Sequence, residues 1–292
     1  MLVLALLPPE LLLPFRLALS RRDRLVSAAN AEELRALVLE QAPDVLVVDP
    51  MADPRIAGML DGARPVGMAP VEGPHAVIGQ FPIIVYTTPA PETMHAAFNL
   101  ARYGAKHIVL RGYDDTSRHV RSTLVQAQGE ALCERVWEGI QPRFATAPEW
   151  LLAAMQRVFQ APLEFRGVKN ITGVSSHPRR SLDYWLSRLE LAPARTFWTA
   201  ARVAWAYPAI RARGMLLKRV AERLGYSKPE YFARHVRHIT GLTPKQLRAV
   251  EPEALLRLIV HRLAHARRSR PRPHVARDRS GAPPARKRGP RD

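Results

Sequence analysis

The sequence predicts two parts of different fold class: an α/β front half built on a five-stranded parallel sheet, and an all-helical back half. Three observations carry this expectation. In residues 1–125 short apolar runs alternate with helical patterns, an alternation that favours a parallel sheet covered by helices on both faces. Beyond residue 145 the apolar spacing is helical, and one pattern of apolar residues returns about fifty positions later. The charge divides in the same way. Residues 1–125 hold 12 Lys and Arg against 13 Asp and Glu, residues 126–266 hold 22 against 11, and residues 267–292 hold 10 against 2. A near-neutral front joined to a basic back points to a polyanion as partner of the back half.

The strand candidates are short runs rich in Val, Ile and Leu, at 1–7 (MLVLALL), 24–29 (RLVSAA), 44–49 (DVLVVD), 81–87 (FPIIVYT) and 106–110 (KHIVL). Their length and composition suit strands buried on both faces. Helical patterns separate them at 9–19, 30–41 and 91–104, with another after Asp114. The Gly- and Pro-rich segment 50–80 fits less cleanly and predicts a poor third helix inside a long loop. The opening MLVLALLPPELLLPF lacks a basic n-region and a small-residue cleavage site and is interrupted by Pro8, Pro9 and Pro14, so it reads as a strand entering a helix rather than a signal peptide. No apolar run is long enough to span a bilayer, which predicts a soluble protein with no membrane partner. Cys133 is the only cysteine. That excludes an internal disulfide and a cysteine zinc site, and suits the cytoplasm.

Several front-half segments resemble the response-regulator receiver domain, a flavodoxin-like fold. PDVLVVDP is similar to the third strand ending at the phospho-accepting aspartate, which would be Asp49. IIVYTT is similar to the fourth strand ending at the switch hydroxyl, Thr87. YGAKHIVLRG is similar to the fifth strand, with Arg111 and Gly112 where the family has lysine and proline. The resemblance covers about the first 125 residues. Where it implies an acidic pair to hold Mg²⁺, this chain has Leu7, Pro8 and Pro9, and a hard divalent cation needs several oxygen ligands. Arg for Lys at 111 replaces a compact ammonium with a planar fork. The expectation is a receiver-like scaffold that is not phosphorylated, with Asp49 a strand-end or loop-capping carboxylate.

In the back half, LLKRVAERL carries Leu217, Val220, Ala221 and Leu224 at helical spacing, and Gly225 stands where a C′ glycine ends a helix. Ser227 and Glu230 match a capping box for the next helix. Thr243 and Gln246, with Pro244 at the first helical position, match another. Phe232, Val236 and Ile239 form a buried stripe, against an outer face of Glu230, Arg234 and Arg237 flanked by Tyr231 and His238. His235 and Lys228 also count toward the basic face. Helix, tight turn and helix with a small residue at the crossing is the helix-turn-helix. Val220, Ala221, Gly225, Tyr226, Tyr231, Phe232, Arg234 and the run Gly241 to Pro244 resemble the second helix-turn-helix of the AraC-type DNA-binding domain. The resemblance implies two such units joined by a long helix.

An earlier copy is present. Leu182, Leu186 and Leu189 repeat Phe232, Val236 and Ile239, with Leu191, Pro193 and Ile171 repeating Leu242, Pro244 and Val220. Its outer face would carry Arg179, Arg180, Asp183 and Tyr184. Its supporting helix, VKNITGVSS, is made of weak helix formers, with Thr172 in place of the alanine. Pro208 should kink or end the joining helix. Upstream, Thr146 and Glu149 match a capping box for a helix with an apolar face of Trp150, Leu151, Met155 and Phe159.

The predicted organisation is a receiver-like domain at 1–125, a helical connector at 126–144, the DNA-binding domain at 145–250, a C-terminal helix at 251–266 and a disordered basic tail at 267–292. No nucleotide-binding glycine loop, nucleophile elbow or paired-carboxylate cleft appears, so no enzyme activity and no cofactor are expected. The pairs His235/His238 and His261/His265 have metal-compatible spacing without a third ligand, and no metal is expected. The implied function is a sequence-specific DNA-binding transcription regulator not controlled by aspartyl phosphorylation. The partners are double-stranded DNA, RNA polymerase and a second copy paired through the N-terminal domain. Lys228, Glu230, Tyr231, Arg234 and Arg237 would meet DNA from the second reading helix. The rival readings are a non-specific nucleoid binder driven by the tail, and a response regulator phosphorylated at Asp49.

Overall fold

The computed structural model describes residues 1–60, 81–212 and 216–265, so the basic tail expected at 267–292 lies outside the described residues. Strands β1 (Leu2–Leu6), β2 (Arg24–Ser27), β3 (Val45–Val48), β4 (Ile83–Thr87) and β5 (Ala105–Leu110) form one parallel sheet in the order β2-β1-β3-β4-β5. They coincide with the five apolar runs. The inner strands β1, β3 and β4 are buried along their length apart from Leu2. The edges differ from the expectation of strands buried on both faces: β2 exposes Arg24 and Ser27, and β5 exposes Lys106. An edge strand has a neighbour on one side only, and a charge there opposes pairing with another chain.

Helices α1 (Pro9–Ala18) and α2 (Ala31–Gln41) follow β1 and β2, and α4 (Pro91–Ala101) follows β4. The expected poor third helix is α3 (Ile56–Leu60), barely more than one turn; most of the loop predicted around it, residues 61–80, lies outside the described residues. Strand order reverses between β1 and β3, so the crevice of the sheet opens at their carboxyl ends. Pro8, Asp49 and Thr87 stand there.

The next helix, α5 (Ser117–Ile140), is about 36 Å long at 1.5 Å per residue. Its first turns bury Val120, Leu124 and Ala127 against β3 and β4 in the core under one face of the sheet. Its later turns bury Leu132, Cys133, Val136, Trp137 and Ile140 in a second, all-helical core. A 3-10 turn (Gln141–Phe144) leads on to α6 (Glu149–Gln160). The capping box expected at Thr146 does not form, because the N-cap is Pro148. A residue preceding proline is pushed out of the helical region, so Ala147 cannot begin the helix.

The helical core surrounds α9 (Ala194–Arg211), in which every residue from Thr196 to Ile210 is buried. Around it pack α5, α6, α10 (Leu217–Arg223), α11 (Pro229–Thr240), α12 (Pro244–Leu247) and α13 (Pro252–Ala264), with α7 (Val168–Ser175) and α8 (Arg179–Arg188) beside them. Pro208 does not end α9, which continues to Arg211. The proline falls in the last turn, where its missing N–H removes one ladder bond, and the Ala212 N–H still closes on the Pro208 carbonyl.

Candidate nucleic-acid interface

The second helix-turn-helix is held at both of its turns. At the end of α10, Gly225 adopts φ 71°, its N–H donates to the Glu222 carbonyl at 2.8 Å, and the Tyr226 N–H donates to the Ala221 carbonyl at 2.9 Å. This paired closure satisfies carbonyls that the helix end would orphan. Ala221, buried, is the small residue of the crossing. At the end of α11, Gly241 adopts φ 77° and donates to the Arg237 carbonyl at 2.8 Å. The capping box of Thr243 and Gln246 forms, with Pro244 at the first helical position. The box expected at Ser227 and Glu230 does not. Lys228 is the N-cap, extended at φ −141° and with no side-chain cap. Pro229 sets this start, because it excludes the preceding residue from the helix and supplies the preset φ of the first one.

Phe232, Val236 and Ile239 are sealed in the helical core, while Lys228, Glu230, Tyr231, Arg234, Arg237 and His238 are exposed. The Arg234 guanidinium lies 4.6 Å from the centre of the Tyr231 ring. This contact orders both side chains on the outer face without removing the arginine's donors.

His235 departs from the sequence reading, which counted it among the outward-facing basic residues. It is half-buried, its Nδ1 hydrogen-bonds the Tyr226 hydroxyl at 2.8 Å, and its ring meets Trp198 edge-on at 5.6 Å. Burial, and then the electrostatic influence of Arg195, Arg202, His238 and Arg234, lower its pKa to about 4. It is therefore a neutral anchor under α11 near pH 7. Arg202 of α9 completes this layer. Its guanidinium lies 5.0 Å from the Trp198 ring centre and 4.9 Å from that of Tyr226. It shares the Phe165 carbonyl with Trp198: Arg202 Nη1 donates at 2.8 Å and Trp198 Nε1 at 2.6 Å. Sequence reasoning missed this residue. The available signal was an arginine inside a stretch of α9 that is otherwise apolar or small, a buried cation that must find aromatic faces and a carbonyl.

The first unit repeats the design. α7 turns into α8 through Ser176 at φ 54°, in the place that Gly225 takes in the second unit. α8 ends through Glu190 at φ 57°, with the Leu191 N–H bonded to the Leu186 carbonyl at 2.8 Å, as α11 ends at Gly241. Leu182 and Leu186 are buried and Leu189 is partly so. Arg179, Arg180 and Tyr184 are exposed, and Asp183 pairs with Arg179 at 3.3 Å. His177 stacks on Trp150 of α6 at 3.9 Å, fixing the turn from below.

At the sheet crevice, Asp49 is 4 % exposed. It accepts from the Thr87 hydroxyl at 3.0 Å and from the Met51 N–H at 3.1 Å. Burial raises its pKa above the usual carboxylate value. Arg111 turns to Asp115, at 2.7 Å, and Asp115 also accepts from the Tyr86 hydroxyl at 3.1 Å. Asp49 and Thr87 are thus together, and Arg111 is committed elsewhere. Among the described residues, no group of three or more His, Cys, Asp or Glu is placed to hold a metal ion, and no helix is long and apolar enough to cross a membrane.

No curated protein and no solved structure matches the chain. Residues 173–249, which run from within α7 to just beyond α12, match a family model described as a helix-turn-helix domain. Both inter-helix turns, α8, α9 and α11 lie inside the matched segment, which supports a DNA-binding transcription regulator.

Proposed function

We propose that the protein reads specific DNA sequences through two helices, and that its front half works without aspartyl phosphorylation. The observation that carries this reading is the division of α11. Its back is sealed in the core, backbone hydrogen bonds close the turn that precedes it and its own C-terminal end, and Pro229 sets its start, while Lys228, Glu230, Tyr231, Arg234 and Arg237 face solvent. Base edges are read by hydrogen bonds of narrow geometry, so a reading helix must be rigid relative to the groove. Glu230, Tyr231, Arg234 and Lys228 meet bases or nearby phosphates, and Arg237 contacts phosphate and sets register rather than sequence. Arg180, Asp183 and Tyr184 of α8, with Arg179, meet bases or nearby phosphates one helical turn of DNA away, roughly 34 Å. The setting is the cytoplasm, with RNA polymerase and a second copy of the chain as further partners.

Selection from random duplex DNA tests the reading. One enriched motif, with two contact blocks a helical turn apart, is the expected result. Arg234→Ala costs about 1–3 kcal/mol on the selected site and relaxes preference at one position. Equal loss on random duplex removes Arg234 from base reading, and failure to enrich any motif defeats sequence-specific binding. Absence of phospho-control rests on the closed bonding of Asp49 and the proline pair beside it, and its test is given below.

A further inference from the structure

Between Thr196 and Ile210, where α9 is buried throughout, the single charged residue is Arg202. It is 4 % exposed, no carboxylate neutralises it among the described residues, and its Nε is buried without a partner. Burying a cation in this way costs more than filling the same space with an apolar side chain such as Met, so core stability does not account for an arginine here. What an apolar side chain cannot supply is direction. The guanidinium is a rigid plane whose edge donates while its faces stack.

The groups that it holds belong to the two helix-turn-helix units. On one side Arg202 Nη1 donates to the Phe165 carbonyl at 2.8 Å, and Phe165 stands two residues before Gly167, the N-cap of α7. On the other the guanidinium lies 4.9 Å from the ring centre of Tyr226. The Tyr226 N–H closes the turn that ends α10, its ring meets Phe232 of α11 at 5.4 Å, and its hydroxyl bonds His235. The first unit depends more on such a hold. α7 buries Ile171 and Ser175 and α8 buries Leu182 and Leu186, whereas α11 alone buries Phe232, Val236, Ile239 and Thr240. With so small an apolar grip, and weak helix formers in α7, the point at which the chain enters at Phe165 governs how this unit sits.

We infer that Arg202 is the positioning residue that sets α8 and α11 at one separation and one angle, and through them the spacing between the two blocks of DNA contacts. The inference rests on the DNA reading above and deepens it. Two binding units joined rigidly bind together better than units joined loosely, because the second contact costs little further ordering. Rigid joining also rejects a target whose blocks are wrongly spaced. One base pair more or less between the blocks moves the second by about 3.4 Å and turns it by about 35° around the duplex. A loosely joined pair follows that change and a clamped pair does not.

The test uses the full chain with Arg202→Met, which fills the space without the fork, and Arg202→Lys, which keeps the charge without it. Ile259→Val, a loss of buried volume in α13 outside this layer, controls for lowered stability. The first readout needs no DNA. Spin labels at Ser187→Cys of α8 and Glu222→Cys of α10, both exposed positions, report the distance between the units by pulsed dipolar EPR, with the buried Cys133 unlabelled. Wild type and Ile259→Val give one narrow distribution, and both Arg202 variants broaden it. The second readout is affinity for the selected duplex, for duplexes with the spacer changed by one base pair, and for duplexes that keep a single block. Wild type loses roughly tenfold or more with either spacer change. The Arg202 variants lose roughly tenfold on the selected spacing and less than about twofold on a single block, and they bind the three spacings within about threefold of one another.

Distributions as narrow in the Arg202 variants as in wild type overturn the inference and leave sequence reading by α11 in place if the selected motif is still bound. Equal losses on one-block and two-block duplexes also overturn it, because they make Arg202 a support of α11 alone. Equal broadening by Ile259→Val overturns it in favour of a general loosening of the helical core. If Arg202→Met does not fold, Arg202→Lys carries the same comparisons. A wild type that binds no duplex defeats the DNA reading and the spacing role with it, while the distance distributions still decide whether Arg202 positions the two units.

Discussion

Acid should loosen the back half of this protein through one residue. His235 has an ordinary value of 6.5 and, in the fold, a value of about 4. Its folded pKa lies below its unfolded one, so between these values the unfolded chain binds a proton that the native chain refuses. The contribution is intact above pH about 6.5 and is lost as pH falls to about 4. At about 1.36 kcal/mol per unit the loss is at most about 3 kcal/mol, and partial exposure of the ring lowers it to about 2. The cause is local. Burial beside Trp198 disfavours the charged ring, as do Arg195 and Arg202 from α9 and Arg234 and His238 from α11 itself. Urea unfolding followed by circular dichroism at pH 7.5 and pH 4.5, for wild type and His235→Gln, isolates the effect from the carboxylates that both proteins share. Wild type should lose about 2 kcal/mol more than the variant over this interval. Equal losses would mean that His235 takes its proton in the native state, and the neutral anchor under α11 would be refuted.

Three further outcomes are expected. Gly129→Ala lowers the urea midpoint, because a methyl there overlaps the Trp205 carbonyl of α9; overpacking costs about 1–3 kcal/mol, against about 1 kcal/mol gained by removing a helix glycine. A raised midpoint would show that α5 and α9 can separate without cost. Phe232→Ala costs about 3–5 kcal/mol by denaturant titration, since the ring is fully buried against Tyr226 at 5.4 Å; a loss under 1 kcal/mol would mean that the back of α11 is not clamped. Incubation with acetyl phosphate and Mg²⁺ leaves the mass of the protein unchanged, and a stable phosphoryl gain that Asp49→Asn abolishes would sink the phosphorylation-independent reading.

The legible parts of this chain were those in which one local rule met no competitor. Five apolar runs became five strands because nothing but a buried sheet accommodates VLVV or IIVY between turn signals. The repeated stripe of Leu182 and Leu186 against Phe232 and Val236 located α8 and α11, because period and offset survive substitution. Helix starts were misread where two rules collided. At Ser227 and at Thr146 a capping pattern lies just ahead of a proline, and steric exclusion of the pre-proline residue from the helix overrides a side-chain cap. At Thr243 the proline follows the cap directly, both rules agree, and the box forms. His235 was misplaced for a different reason. It lies between the buried and the exposed arcs of α11, and only the Tyr226 hydroxyl and the Trp198 ring, brought from other elements, draw it inward. The Arg202 layer depends on contacts between residues far apart in sequence, where no period or spacing gives warning.

The helix α5 belongs to both cores. Boundaries between independent units usually fall in exposed, flexible segments. Here residues 126–144, read from sequence as a connector, place Leu132, Cys133, Val136 and Trp137 inside the helical core, while Val120 and Leu124 of the same helix lie under the sheet. The crossing with α9 is close enough that Gly129 tolerates no side chain and the Cys133 Sγ reaches the Ala201 carbonyl at 3.3 Å. α9 in turn carries Trp198 and Arg202, the residues on which Tyr226 and His235 rest. The sheet, α5, α9 and the floor of α11 are therefore joined by packed cores at each step, with no exposed linker between the two halves along α5.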